Sequence, residues 1–415
     1  MNIDAERLRK DIEANGEHGA IEIESGHGRT ALTGTEANRQ CRDQLVERME
    51  AAELEVRIDA VGNVVGRWVP TSADPDLAPI ATGSHLDSVP KGGIFDGPLG
   101  VYASVESVRA MQDSGFEPDR PIEVVSFTEE EGQRFGGGML GSAIATGQRS
   151  VESALGLEDD QGITLEEALE SIGYRGDGRL EASDWDAWLE LHVEQDTTLE
   201  TEGVPVGIVT TITGIAHYEA VVEGEANHAG ATAMDERRDA LVAASEVVRD
   251  VEQAAREVVV TESPTAVATV GRLEVRPNAT NVVPGRAELG IDLRDVRRDT
   301  MDRLVERVQM SLNRVADVHA VDVTFEPEIN VDPVPMSDRV RDVAHRAADQ
   351  ASIEAIDMPS GAAHDTMHVA EVTDATLLFA PSSDGMSHSP AEWTDWEDCA
   401  EATSVLAGAI ADLTT

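Results

Sequence analysis

Four short apolar runs frame this chain, and each closes on polar chemistry. Residues 78–84 and 121–128 read as continuous buried strands, and 375–381 repeats the pattern near the end. Residues 189–195 alternate strictly, which places Glu190, His192 and Glu194 on one face of a strand and Leu191, Val193 and Gln195 on the other. A segment of different character lies between the third and fourth runs. It has a strand pattern at 216–222, a helix pattern at 238–258, strand patterns at 266–273 and 287–293, a helix pattern at 300–315 and a last strand at 321–325. This β-α-β-β-α-β order is that of a ferredoxin-like unit. Such a unit can hold its own core, and its insertion into a sheet domain predicts a lid. The expected organisation is an α/β sheet domain over 1–213 and 329–415, interrupted by an α+β lid over 214–328.

The polar groups at the strand ends have metal-ligand character. His85 is expected at the carboxyl edge of its strand, where open α/β sheets place their ligands. Glycines at 92, 93 and 97 let the chain turn and bring back Asp96, eleven residues after His85. The second run ends in Glu129-Glu130-Glu131, three carboxylates that repel one another and are costly if partly buried without cations. A solvated acidic turn accounts for them equally well. His192 sits in the alternating strand, and the last run is followed by Met386-Ser387-His388-Ser389-Pro390. Together these groups make a nitrogen and oxygen set typical of Zn²⁺ or Mn²⁺.

In this order the motifs resemble the amidohydrolase branch of the M20 di-metal peptidases, which contains N-carbamoyl-L-amino-acid hydrolases, β-ureidopropionases and allantoate amidohydrolases. The resemblance rests on His85-Leu86-Asp87, Gly93-Ile94-Phe95-Asp96-Gly97-Pro98-Leu99-Gly100-Val101, Glu129-Glu130-Glu131-Gly132-Gln133-Arg134-Phe135, His192-Val193-Glu194-Gln195 and Met386-Ser387-His388-Ser389-Pro390. It implies a di-metal exopeptidase-like domain, with a mixed sheet flanked by helices, that binds two divalent cations (Zn²⁺, Mn²⁺ or Co²⁺). Asp96 would bridge them, His85 and His192 completing one ligand set and Glu131 and His388 the other. Glu130 matches the general base and Asp87 the carboxylate that orients His85. Glu129 is left as a solvated or helix-capping acid. The implied reaction is hydrolysis of the ureido C–N bond of an N-carbamoyl-L-amino acid. Allantoate, other N-acyl amino acids or dipeptides are rival substrates, and a metal-free binding paralogue is the non-enzymatic alternative.

The resemblance extends to substrate contacts and to a homodimer formed through the lid. His228 in Asn227-His228-Ala229-Gly230 matches an oxyanion partner, Asn281 a ligand-bonding asparagine and Arg294 a carboxylate clamp. Spacing alone leaves plainer roles open: His228 as a turn residue, Asn281 as a loop cap, and Arg294 paired with Asp292 or Asp295. Gln195, Gly361 and His364 match further substrate-contacting positions. The chain departs from the pattern at Asp196 and Ala363, both usually glycine.

Composition adds a second theme. Acidic residues number 80 against 32 basic ones, a formal charge of −48, and Lys10 and Lys91 are the only lysines. Such an excess argues against nucleic-acid or anionic-membrane partners and fits a surface suited to concentrated salt. Cys41 and Cys399 lie outside every motif, so neither a disulfide framework nor a thiol catalyst is indicated. The polar N-terminus and the lack of membrane-length apolar runs lead to the expectation of a cytoplasmic protein.

Overall fold

The computed structural model describes residues 1–23 and 26–415. It divides into two compact units, Met1–Thr210 with Met336–Thr415, and Thr211–Pro335.

A mixed sheet forms the centre of the first unit. Seven of its strands lie in the order Glu55–Ile58, Val64–Trp68, Ile122–Phe127, Ile80–His85, Ala187–Val193, Asp374–Ala380 and Val206–Ile212, and Ala355–Ser360 also pairs with Val206–Ile212. The four strands from Ile122–Phe127 to Asp374–Ala380 are mutually parallel, while Glu55–Ile58 with Val64–Trp68, Val64–Trp68 with Ile122–Phe127, and Asp374–Ala380 with Val206–Ile212 pair antiparallel. These parallel strands are the apolar runs of the sequence, and their side chains are buried almost throughout. Because they are parallel, their carboxyl ends share one edge of the sheet. Helix Pro98–Ser114 packs against the sheet under the helices Ala5–Gly16 and Trp396–Leu413. Its positions 98–111 are all buried, as expected for a helix covered on every side.

The second unit is a four-stranded antiparallel sheet in the order Asp322–Val331, Gly214–Glu223, Arg286–Asp295, Val267–Arg276. Strand Arg286–Asp295 alternates buried and half-buried positions, the mark of a sheet with one covered face. Helices Ala240–Thr261 and Arg298–His319 pack together on that face. Ala220, Val247, Leu289, Ile291, Leu304 and Val308 are among the residues of this separate core. A short ribbon pairs Asn227–His228 with Val282–Val283. The last strand runs to Val331, beyond the 321–325 read from the sequence, because Pro327 sits on an edge strand where a missing N–H is tolerated and the register shifts beside it. Among the described residues, no helix is long and apolar enough to cross a membrane.

Candidate metal centre

The shared edge of the parallel strands collects the chemistry. His85 is the last residue of its strand and His192 the penultimate residue of the neighbouring one. Glu130 and Glu131 follow strand Ile122–Phe127, Asp96 lies just before helix Pro98–Ser114, and His388 lies in the loop after strand Asp374–Ala380. One oxygen of Asp96, Oδ1, lies 3.4 Å from His85 Nε2 and 3.2 Å from His192 Nε2. The other, Oδ2, lies 3.4 Å from His388 Nε2, which is itself 3.3 Å from Glu131 Oε2. Two donor triplets therefore meet on one carboxylate, His85/Asp96/His192 and Asp96/Glu131/His388, with the ligand atoms of each within 4.8 Å of one another.

The hydrogen bonds behind these groups fit them to hold cations. His85 Nδ1 donates to the Asp87 carbonyl at 3.1 Å, and His192 Nδ1 donates to the Val193 carbonyl at 3.0 Å. A carbonyl only accepts, so in each neutral ring the proton is on Nδ1 and the Nε2 lone pair faces Asp96. His85 Nε2 is buried and has no hydrogen-bond partner among the described residues. Burial disfavours charge on His85, yet Glu130, Asp96 and Asp87 raise its pKa well above the ordinary imidazole value. The field at that nitrogen thus favours positive charge. Burial works in the same direction against the Asp96 carboxylate, but His192, His388 and His85 hold it well below the usual range.

Glu130 is the carboxylate beside the first triplet, its Oε2 3.7 Å from His85 Nε2. Burial raises its pKa well above the ordinary value; His85 opposes the shift, while Asp365, Glu131 and Asp96 reinforce it. Glu131 is pushed up to about 7 by burial and by Asp96.

Several supporting residues behave differently from their sequence-based reading. The Asp87 carboxylate does not orient His85 directly, lying 3.8 Å from Nδ1. It accepts instead the backbone N–H groups of Glu130 and Glu131, at 3.3 and 3.1 Å, and so holds the turn that carries both side chains. Glu129 is neither solvated nor a helix cap. It is buried, has a left-handed backbone (φ 57°), and accepts the N–H groups of Arg134 and Phe135, both at 2.7 Å. Gln195 turns its amide inward and donates to Asp96 Oδ2 at 2.9 Å. His364 is buried against His192, with ring centroids 4.5 Å apart, while Gly361 is exposed in the loop after strand Ala355–Ser360. Two contributors were missed. Ser387 donates to Asp96 Oδ2 at 2.7 Å, and Glu392 accepts the N–H groups of Phe95 and Asp96 at 2.8 and 3.0 Å.

The remaining candidates belong to the second unit. His228 is exposed on the short ribbon, and its Nδ1 accepts the Gly230 N–H at 3.0 Å, which leaves the neutral ring's proton on Nε2. Asn281 is exposed and its carbonyl accepts from Ala229 N. Arg294 donates to Asp292 through Nε at 3.0 Å and Nη2 at 2.9 Å, the pairing that spacing alone had left open.

Residues 81–412 match the family model Peptidase family M20/M25/M40. The chain belongs to this family. Its α/β fold, a mixed sheet flanked by helices, is the one expected of an M20 member. Over 408 residues this M20 chain is 40% identical to an N-carbamoyl-L-amino acid amidohydrolase of Geobacillus stearothermophilus, a match covering 97% of each. It is 35% identical to an allantoate amidohydrolase of Bacillus subtilis over 83% of each chain. The crystal structure of an amidase of the hydantoinase/carbamoylase family from Burkholderia multivorans aligns with a TM-score of 0.93 at 34% identity, covering 100% of this chain and 98% of that one.

Proposed function

We propose that this M20 member hydrolyses the ureido C–N bond of N-carbamoyl-L-amino acids, releasing the free amino acid, CO₂ and ammonia. The observation that carries the reading is the placement of Asp96, whose two oxygens face two separate donor triplets beside Glu130. His85, His192 and Asp96 would hold one divalent cation, and Glu131, His388 and Asp96 the other, with Zn²⁺, Mn²⁺ or Co²⁺ matching the donor set. Such a pair, when bound, polarises a carbonyl and lowers the pKa of water. Glu130 takes a proton from the attacking water, which adds to the ureido carbonyl carbon, and returns it to the departing ammonia. The carbamate left on the amino acid then loses CO₂. Its burial suits Glu130 to carry that proton between the two steps.

The second unit supplies the remaining roles in this reading, as a lid and as the surface through which two chains pair. The exposed Nε2–H of His228 donates to the developing oxyanion, Asn281 bonds the ligand, and Arg294 exchanges Asp292 for the substrate α-carboxylate, a task for a planar bidentate fork. Gln195, Gly361 and His364 complete the substrate surroundings, with Gln195 and His364 acting from behind Asp96 and His192. We place the enzyme in a cytoplasm rich in salt, with no nucleic-acid or membrane partner.

A panel of N-carbamoyl-L-amino acids, β-ureidopropionate and allantoate, assayed for ammonia release in molar KCl with each cation in turn, tests the reading. N-carbamoyl-L-amino acids are expected to turn over fastest. Preference for allantoate, the rival favoured by the Bacillus subtilis relative, would replace the substrate and keep the chemistry. Glu130→Gln is expected to abolish turnover while two cations stay bound, and a variant that kept its activity would remove Glu130 from the role of base.

A further inference from the structure

We propose that Glu392 is a positioning residue of the metal centre: its buried carboxylate fixes the backbone of Phe95 and Asp96, and so sets how the shared aspartate presents its two oxygens. The inference rests on the two-cation reading above and adds to it a residue outside the ligand set.

Glu392 is 1% exposed and comes from the loop that follows His388. A single oxygen, Oε1, accepts both the Phe95 N–H at 2.8 Å and the Asp96 N–H at 3.0 Å, across nearly 300 residues of sequence. Its other oxygen, Oε2, lies 3.2 Å from Ser387 Oγ, and that hydroxyl is 2.7 Å from Asp96 Oδ2. Glu392 therefore grips Asp96 at the backbone directly and at the carboxylate through Ser387. The Ser387 hydroxyl has one proton and two carboxylates within reach. Turning it from Asp96 to Glu392 releases a lone pair of Oδ2 without breaking the loop.

The choice of an acid here needs a reason. Glu392 stands beside Asp96, in a site that also holds Glu130 and Glu131. A neutral amide could accept the same two N–H bonds without adding negative charge to a buried acidic cluster. A carboxylate is favoured at that point if positive charge sits on the far side of Asp96. The chain also makes room for it. A Cβ added at Gly93 would lie 2.2 Å from Glu392 Oε1 and 2.6 Å from its Cβ, although Gly93 itself has an ordinary backbone.

The full-length chain, its Glu392→Ala, Glu392→Gln and Gly93→Ala variants are titrated with Zn²⁺ and with Mn²⁺ against a competing chelator, and the melting temperature of each metal-free form is recorded. Removing an outer partner of a metal ligand typically costs about 10–100-fold in affinity. Glu392→Ala is expected to lose that much for at least one cation with little change in metal-free melting. Glu392→Gln, which keeps an acceptor for both amides but not the charge, is expected to recover part of the loss. Gly93→Ala, by forcing the carboxylate aside, should weaken binding in the same way and decides the matter if Glu392→Ala does not fold. Wild-type affinity for both cations in the folded Glu392→Ala or Gly93→Ala variant overturns the proposal. A wild-type chain that binds no cation overturns the two-cation reading instead.

Discussion

Gly97 shows how little room is left around His85. Its backbone is left-handed (φ 83°), and a Cβ there would lie 2.6 Å from His85 Cε1 and 2.7 Å from His85 Nδ1. Gly97→Ala therefore meets a backbone strain and a collision at the ring that faces Asp96. We expect a loss of about 1–3 kcal/mol in stability, measured by denaturant unfolding, together with weaker cation binding. Unchanged stability and metal content would mean that the loop can shift without disturbing His85. The strand-end histidines and acids were legible because each follows a recognisable apolar run. Glu392 was not, since its bonds go to backbone amides distant in sequence and no side-chain pattern announces such a partner. Asp87 and Gln195 were legible as members of the site, but their hydrogen bonds depend on turn geometry at 130–131 and on the left-handed backbone of Gln195 (φ 62°).

Among the elements, those with regular periodicity were the easier to read, and their ends were set by local chemistry. Helix Ala240–Thr261 starts two residues later than the apolar pattern suggests because Asp239 caps it, accepting the N–H groups of Leu241 and Val242 at 3.1 Å each. Strand Asp322–Val331 outlasts its pattern because an edge position accepts Pro327. The cap makes a test of how separately the two units hold together, since each has its own core. Asp239→Ala leaves two amides unsatisfied and is expected to cost about 1 kcal/mol. Hydrogen exchange should then quicken in helix Ala240–Thr261 and the sheet it covers, while strands Ile80–His85 and Ala187–Val193 keep their protection. Equal acceleration in both units would show that they open as a single cooperative block.

For the whole molecule the dominant quantity is the net charge of −48. Much of the available arginine is already committed to surface pairs such as Arg256 with Glu252, Arg298 with Asp302 and Arg314 with Asp250. Exposed pairs of this kind contribute little each, and the surplus of acid is left to repel itself. Asp398 registers the surplus: burial, then Asp395, Glu401 and Glu397, push its pKa up to about 6. A carboxyl raised on folding binds more protons in the folded than in the unfolded chain between its two pKa values. Its contribution therefore weakens the folded state as pH rises through about 4 to 6, and mild acid relieves it. Salt relieves the same repulsion by a different route, shortening the Debye length from about 10 Å at 0.1 M to about 3 Å at 1 M. Both levers should act together. In dilute buffer the melting temperature is expected to rise as pH falls from 7 towards 5.5, and to rise further on adding molar KCl at pH 7, with the pH effect shrinking once salt is present. A melting temperature that ignores salt at pH 7 would show that self-repulsion is not what limits this fold.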